Sequence, residues 1–252
     1  MKPESLTYEQ AAALPLVGVT ALQAFEQHNL KIGQKLLVIG GSGGVGHIAT
    51  SIAAKKGIDT VAICSTSNVK FVQNLDAKVT VLDYTAECDV MQQLDSYVAK
   101  EGKFDLVLDT VTSADSRDKD ANYPHRIRFR TPPILKACRG INDSDHKDVD
   151  AHNYVVLGGE FVHWWTALMK RLCNVNWFTS GFELFWIKMN HSTEYLKELK
   201  ILCDEHGLRP KVSTVPFTEE GCREAFKSLH PSKDQRRSTV GKIVVKIYGS
   251  VE

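Results

Sequence analysis

The residues of this chain best suited to chemistry are six in a row, Gly41-Ser42-Gly43-Gly44-Val45-Gly46, and the chemistry they suit is phosphate binding. The G-x-G-x-x-G spacing follows the apolar run Leu36-Leu37-Val38-Ile39 and precedes an alanine-rich helical segment that ends at Gly57. Each glycine at such a juncture has its own task. Gly41 is expected to permit the tight turn, Gly43 to let the backbone approach a pyrophosphate, and Gly46 to let the new helix pack closely on the strand. The helix N-terminus offers unpaired N–H groups and a partial positive charge, which suit a phosphate without requiring a basic side chain. A P-loop needs Lys and then Ser or Thr after its last glycine, whereas Gly46 is followed by His47 and Ile48.

A second apolar strand, Thr60 to Cys64, completes a β-α-β unit of roughly thirty residues, the context that a dinucleotide fingerprint demands. Folds that prefer NAD usually carry Asp or Glu about twenty residues beyond the glycines, where the carboxylate accepts from the ribose hydroxyls. Here that place holds Ser65-Thr66-Ser67-Asn68, with Lys70 close behind, while Asp59 lies at the opposite end of the strand. Hydroxyls and an ammonium favour a 2′-phosphate, so the pattern points to NADPH over NADH. The same residues could also be a polar loop capping the helix near Lys70.

The elements that must position these residues alternate regularly. After the first unit come a helix over Lys70 to Leu75, a strand over Val79 to Leu82, a helix over Asp89 to Lys100 and a strand over Phe104 to Leu108. This is the rhythm of an α/β fold with a doubly wound parallel sheet of Rossmann type, whose ligands lie at the carboxyl ends of the strands. Those ends are Gly41, Ser65, Asp83-Tyr84 and Asp109-Thr110. From Thr112 to Asn153 the pattern dissolves into charged residues and turn formers, read as a solvated surface insertion with a short helix from Pro133 to Cys138, a functional lid being the alternative. Regular structure returns with the strand Tyr154 to Leu157, ended by Gly158-Gly159. An aromatic cluster follows (Trp164, Trp165, Trp177, Phe178, Phe182, Phe185, Trp186), fit for core or interface packing or for a planar substrate. An amphipathic helix over Ser192 to Cys203 precedes a tail of strand (Lys211 to Val215), helix (Thr218 to Leu229) and strand (Lys242 to Tyr248).

Composition narrows the classes. In 252 residues, 31 Lys and Arg balance 30 Asp and Glu, so there is no basic field of the kind that holds nucleic acid. No apolar window is long enough to span a membrane, and Met1 to Ser5 lacks a signal peptide's charged and apolar regions, which leaves the cytosol as the default compartment, with an organellar signal lost along with a missing N-terminus as the alternative. The six cysteines form no C-x-x-C pair and the nine histidines no H-E-x-x-H element, so no metal is expected. None of the tyrosines has Lys four residues on, which removes the short-chain reductase pattern.

Four passages resemble the medium-chain dehydrogenases and reductases, in their zinc-free quinone oxidoreductase-like branch. They are Gln10-Ala11-Ala12-Ala13-Leu14-Pro15-Leu16-Val17-Gly18-Val19-Thr20-Ala21, the Gly40 to Gly46 turn, Asp105-Leu106-Val107-Leu108-Asp109-Thr110-Val111, and Gly241-Lys242-Ile243-Val244-Val245. Zinc-dependent relatives carry a metal-binding cysteine where this chain has Val17, which favours the metal-free branch. The resemblance implies hydride transfer from NADPH to a small-molecule acceptor such as a quinone or an α,β-unsaturated carbonyl. It also implies that Ser65, Lys70 and Tyr84 contact the 2′-phosphate, with Thr66 added by the polar strand end itself, and that Thr110, Val111, Leu157 and Gly158 neighbour the nicotinamide. It divides the chain into a linking helix (1–30), a cofactor domain (31–210) with a charged insertion near 114–150, and a C-terminal segment (211–252) of an incomplete GroES-like domain. Relatives begin with that barrel, so the tail strands are expected to lack partners. Relatives also dimerise, and an exposed Tyr154 to Leu157 strand could extend a sheet across a two-fold axis of a homodimer. The alternative is a dinucleotide-binding sensor or scaffold without turnover.

Overall fold

The computed structural model describes residues 2–111, 153–157, 165, 168, 183–184, 192–229 and 240–247. The first helix, α1 (Tyr8–Gln27), begins at a capping box in which the Thr7 hydroxyl accepts from the Gln10 N–H and the Gln10 side chain accepts from the Thr7 N–H. Then follow β1 (Lys35–Ile39), α2 (Gly46–Lys55), β2 (Asp59–Cys64), a single 3₁₀ turn (Thr66–Asn68), α3 (Val69–Gln73), β3 (Thr80–Asp83), α4 (Val90–Glu101) and β4 (Leu106–Asp109). The later elements are β5 (Tyr154–Val156), β6 (Glu183–Leu184), α5 (Ser192–Asp204), β7 (Val212–Pro216), α6 (Glu219–Leu229) and β8 (Lys242–Lys246).

β1 to β6 form one all-parallel sheet in the order β3-β2-β1-β4-β5-β6, the doubly wound α/β arrangement expected from the sequence. Strands β1, β2, β4 and β5 are buried on both faces almost throughout, which is why they read as apolar runs without alternation. Alternate residues nonetheless sort to opposite sides. Leu36, Val38, Leu106, Leu108 and Val155 pack with α1, α2 and α5. Leu37, Ile39, Val107 and Val156 pack with Val90 and Leu94 of α4. α1 approaches α5 closely at Gly18, where a Cβ would lie 2.6 Å from a methyl of Leu199.

Two expectations about strand partners change. β5 is interior, paired to β4 on one side and β6 on the other, with Tyr154, Val155 and Val156 all buried. It therefore has no free edge to offer a second subunit. The tail strands do find partners: β7 and β8 pair in parallel with each other around α6, a right length of chain for a crossover. Phe217 after β7, Phe226 and Leu229 on α6 and Ile247 after β8 are exposed. The helix expected at Thr218 starts one residue later, with the Thr218 hydroxyl accepting the Gly221 N–H as a cap. The charged insertion, the Pro133 to Cys138 helix and the aromatic cluster lie outside the described residues, apart from Trp165, which is 55% exposed and so packs in no core.

Candidate cofactor site

The strand order reverses between β1 and β4, so the crevice for a ligand opens outside their carboxyl ends. The glycine turn sits there. The residue that makes the tight turn is Gly40, at φ +84°, rather than Gly41; its N–H and that of Gly41 both donate to the Ile63 carbonyl at 3.1 and 2.9 Å. Gly41 serves packing, since a Cβ there would lie 2.8 Å from the Ala62 Cβ on β2. Gly46 permits helix α2 to lie against the turn, its absent Cβ only 2.0 Å from the Gly40 carbonyl oxygen. Gly43 meets nothing nearer than that same oxygen at 3.3 Å, and its N–H is already given to it at 2.9 Å. The N–H groups of Gly44, Val45 and Gly46 donate to no acceptor among the described residues. Three free donors at a helix N-terminus fit a pyrophosphate.

His47, the next residue, was given no role by the sequence. It is fully buried, its Nδ1 2.7 Å from the Gly43 carbonyl and its Nε2 3.1 Å from the Lys211 nitrogen. A carbonyl can only accept and an N–H can only donate, so the ring is neutral with its proton on Nδ1. It ties the turn to the tail, a link doubled by the Gly241 N–H donating to the Ser42 carbonyl at 3.0 Å. Lys242 lies against the turn, its Cδ 2.9 Å from where a Gly44 Cβ would stand. Burial pushes the His47 pKa below its ordinary 6.5, and Lys242 adds to that, against the Gly43 hydrogen bond, which raises it. With the folded pKa below the unfolded one, the stability contributed by neutral His47 is complete above pH 6.5 and is lost as the pH falls through the folded value. His47→Leu is accordingly expected to lower stability at pH 7.5 by about 1–2 kcal/mol. It should also flatten the acid limb of a plot of thermal midpoint against pH; an unchanged limb would contradict the assignment.

At the end of β2, Asn68 joins the two halves of the predicted site. It is 5% exposed, and its side-chain amide donates to Ser42 Oγ of the turn and to Ser65 Oγ, both at 3.1 Å. Ser65 also bonds Ser67 at 3.1 Å. Thr66 is exposed and donates to Asp83 Oδ2 at 2.6 Å, while Thr85 donates to Asp83 Oδ1 through both its N–H and its hydroxyl at 2.9 Å. An acid thus does stand by this pocket, supplied by β3 rather than β2. Burial pushes the Asp83 pKa up, but the bonds from Thr66, Thr85 and Ala86 outweigh it and hold the group below 3.8. Its oxygens are already engaged by those threonines. Lys70 is exposed on α3, and Tyr84 is half-buried, its N–H donating to the Cys64 carbonyl at 3.0 Å and its ring against the core around Leu82 and Val90.

On the other side of the crevice, Thr110 donates through its hydroxyl to the Ile39 carbonyl at 2.8 Å. Val111 and Leu157 are half-buried beside it, and Gly158 lies outside the described residues. Val17 is a core residue of α1, 2% exposed. Among the described residues no group of three or more His, Cys, Asp or Glu stands together as metal ligands would, and no helix is long and apolar enough to cross a membrane.

A doubly wound sheet with a glycine turn at its switch point defines the Rossmann class of nucleotide folds. No family model matches the chain. It is 32% identical over 259 residues to the Mus musculus protein named NAD(P)H oxidoreductase RTN4IP1, mitochondrial, covering 98% of this chain and 57% of the relative. It is 34% identical over 143 residues to medium chain reductase pydE of an Acremonium species, covering 57% and 38%. Among solved structures, the quinone oxidoreductase from Coxiella burnetii shares the fold with a TM-score of 0.60 at 23% identity, over 98% of this chain and 63% of that one. The chain belongs to the medium-chain dehydrogenase/reductase superfamily, in its quinone oxidoreductase-like group. It spans little more than half the length of the mouse relative.

Proposed function

We propose that this chain is the cofactor-binding part of an oxidoreductase that uses NADPH and passes hydride to a small electron-poor acceptor, a quinone or an enone. The observation that carries the reading is the turn at the end of β1, where the N–H groups of Gly44, Val45 and Gly46 donate to no acceptor among the described residues and the bend tolerates no side chain at Gly46. When bound, NADPH supplies the hydride. The part of the chain is to hold and orient. Gly44, Val45 and Gly46 donate to the pyrophosphate, Ser65, Thr66, Lys70 and Tyr84 surround the 2′-phosphate, and Thr110, Val111, Leu157 and Gly158 border the nicotinamide. Val17 stands where zinc-dependent members carry a ligand, so the chemistry proposed is zinc-independent.

The 211–252 segment, which docks on the turn through Gly241 and Lys211, is assigned to the wall of the acceptor cleft. The mouse relative is named mitochondrial, which makes an organelle the compartment to test beside the cytosol. The reaction is tested by following loss of reduced nicotinamide absorbance with a short-chain quinone and with an enone. Turnover with either supports the reading. Cofactor binding without turnover would favour the sensor or scaffold alternative.

A further inference from the structure

Outside the phosphate turn stands Asp109, a carboxylate with no exposed surface at the carboxyl end of β4. Its Oδ2 accepts from the Tyr154 hydroxyl at 2.7 Å and its Oδ1 from the Val111 N–H at 3.0 Å. Its own carbonyl accepts from the Leu157 N–H at 3.0 Å. Tyr154, on the neighbouring strand β5, is 1% exposed. The next residue, Thr110, gives both its N–H and its hydroxyl to Ile39 at the end of β1. Val111 in turn crowds Gly40, where a Cβ would lie 2.3 Å from a Val111 methyl. The carboxyl ends of β1, β4 and β5 are thus locked together around one side chain, at the rim of the crevice.

From this juxtaposition we infer that Asp109 is a positioning residue for the nicotinamide end of the cofactor, an inference that rests on the dinucleotide reading above. Asp109 itself is sealed from the crevice and acts through Thr110 and Val111, whose backbone it fixes. As paired here, the phenol and the backbone N–H both donate and the carboxylate accepts on both oxygens. Asparagine keeps one acceptor; its NH₂ can meet Tyr154 only if the hydroxyl turns its own proton away, and the charge that strengthens both bonds is lost. The backbone of Thr110 and Val111 is then held less tightly. Ser65, Thr66 and Lys70 belong to other elements and keep their geometry.

The test separates the two ends of the ligand. Calorimetric titrations of the whole chain would compare NADPH with adenosine 2′,5′-bisphosphate, which lacks the nicotinamide, for the wild type, Asp109→Asn and Tyr154→Phe. The expected result is NADPH binding weakened at least tenfold in both variants, with affinity for the adenosine fragment unchanged. Tyr154→Phe removes one hydroxyl and no volume beyond it, so it carries the test if Asp109→Asn does not fold. Equal weakening of both ligands would show a general structural role and overturn the assignment, as would NADPH affinity unchanged in both variants. Failure of the folded wild type to bind either ligand would overturn the dinucleotide reading itself, and this assignment with it.

Discussion

Replacing Gly46 with alanine is expected to destabilise the folded chain by at least about 3 kcal/mol and to abolish dinucleotide binding. The added Cβ would stand 2.0 Å from the Gly40 carbonyl oxygen, 2.8 Å from its carbon and 3.1 Å from the Gly41 Cα. All three are backbone atoms of the turn that leaves β1, so no rotamer change relieves the clash. The turn must separate from α2, and the N–H groups of Gly44, Val45 and Gly46 lose their common direction. Gly43 makes the contrast. Its nearest neighbour, at 3.3 Å, can yield by a few tenths of an ångström, so Gly43→Ala should stay within about 1 kcal/mol of wild-type stability while filling the space a pyrophosphate would occupy. Thermal unfolding separates the two variants and titration with NADPH unites them. Wild-type stability in Gly46→Ala would contradict the packing at this turn.

Charge reversal at Lys70 has the second largest expected effect. An ammonium near a 2′-phosphate contributes charge-assisted hydrogen bonds, and losing them while adding a like charge should weaken NADPH about ten- to hundredfold in Lys70→Glu. NADH, which has no 2′-phosphate, should be little affected. Because Lys70 is exposed on α3, the loss should shrink as ionic strength rises. Parallel titrations of NADPH and NADH at low and high salt measure all three effects. Equal weakening of both dinucleotides would remove Lys70 from the phosphate pocket.

The sheet was legible in the sequence because a strand buried on both faces has no polar side to hide, and Leu36 to Ile39 could be little else. The glycine turn was legible for the same reason in reverse, since a side chain at Gly41 or Gly46 has nowhere to go. Counting from the motif nevertheless misplaced the bend. The strand ends at Ile39, and the positive φ falls at once on Gly40, one residue before the fingerprint begins. Asp83 stands among the strand ends legible in the sequence, but its approach to the loop after β2 was not, because it depends on the parallel pairing of Cys64 with Asp83. The interior position of β5 was hidden because β6 is only Glu183–Leu184, too short to show a pattern. Asn68 and His47 gave no local signal either. Each earns its place through a partner distant in sequence, Ser42 for one and Lys211 for the other.

The cofactor site is tested most directly by calorimetric titration of the wild-type chain with NADPH and, at the same ionic strength, with NADH. NADPH is expected to bind, and NADH to bind at least tenfold more weakly, a difference of about 1.4 kcal/mol. No binding of either dinucleotide by a chain shown to be folded would contradict that expectation.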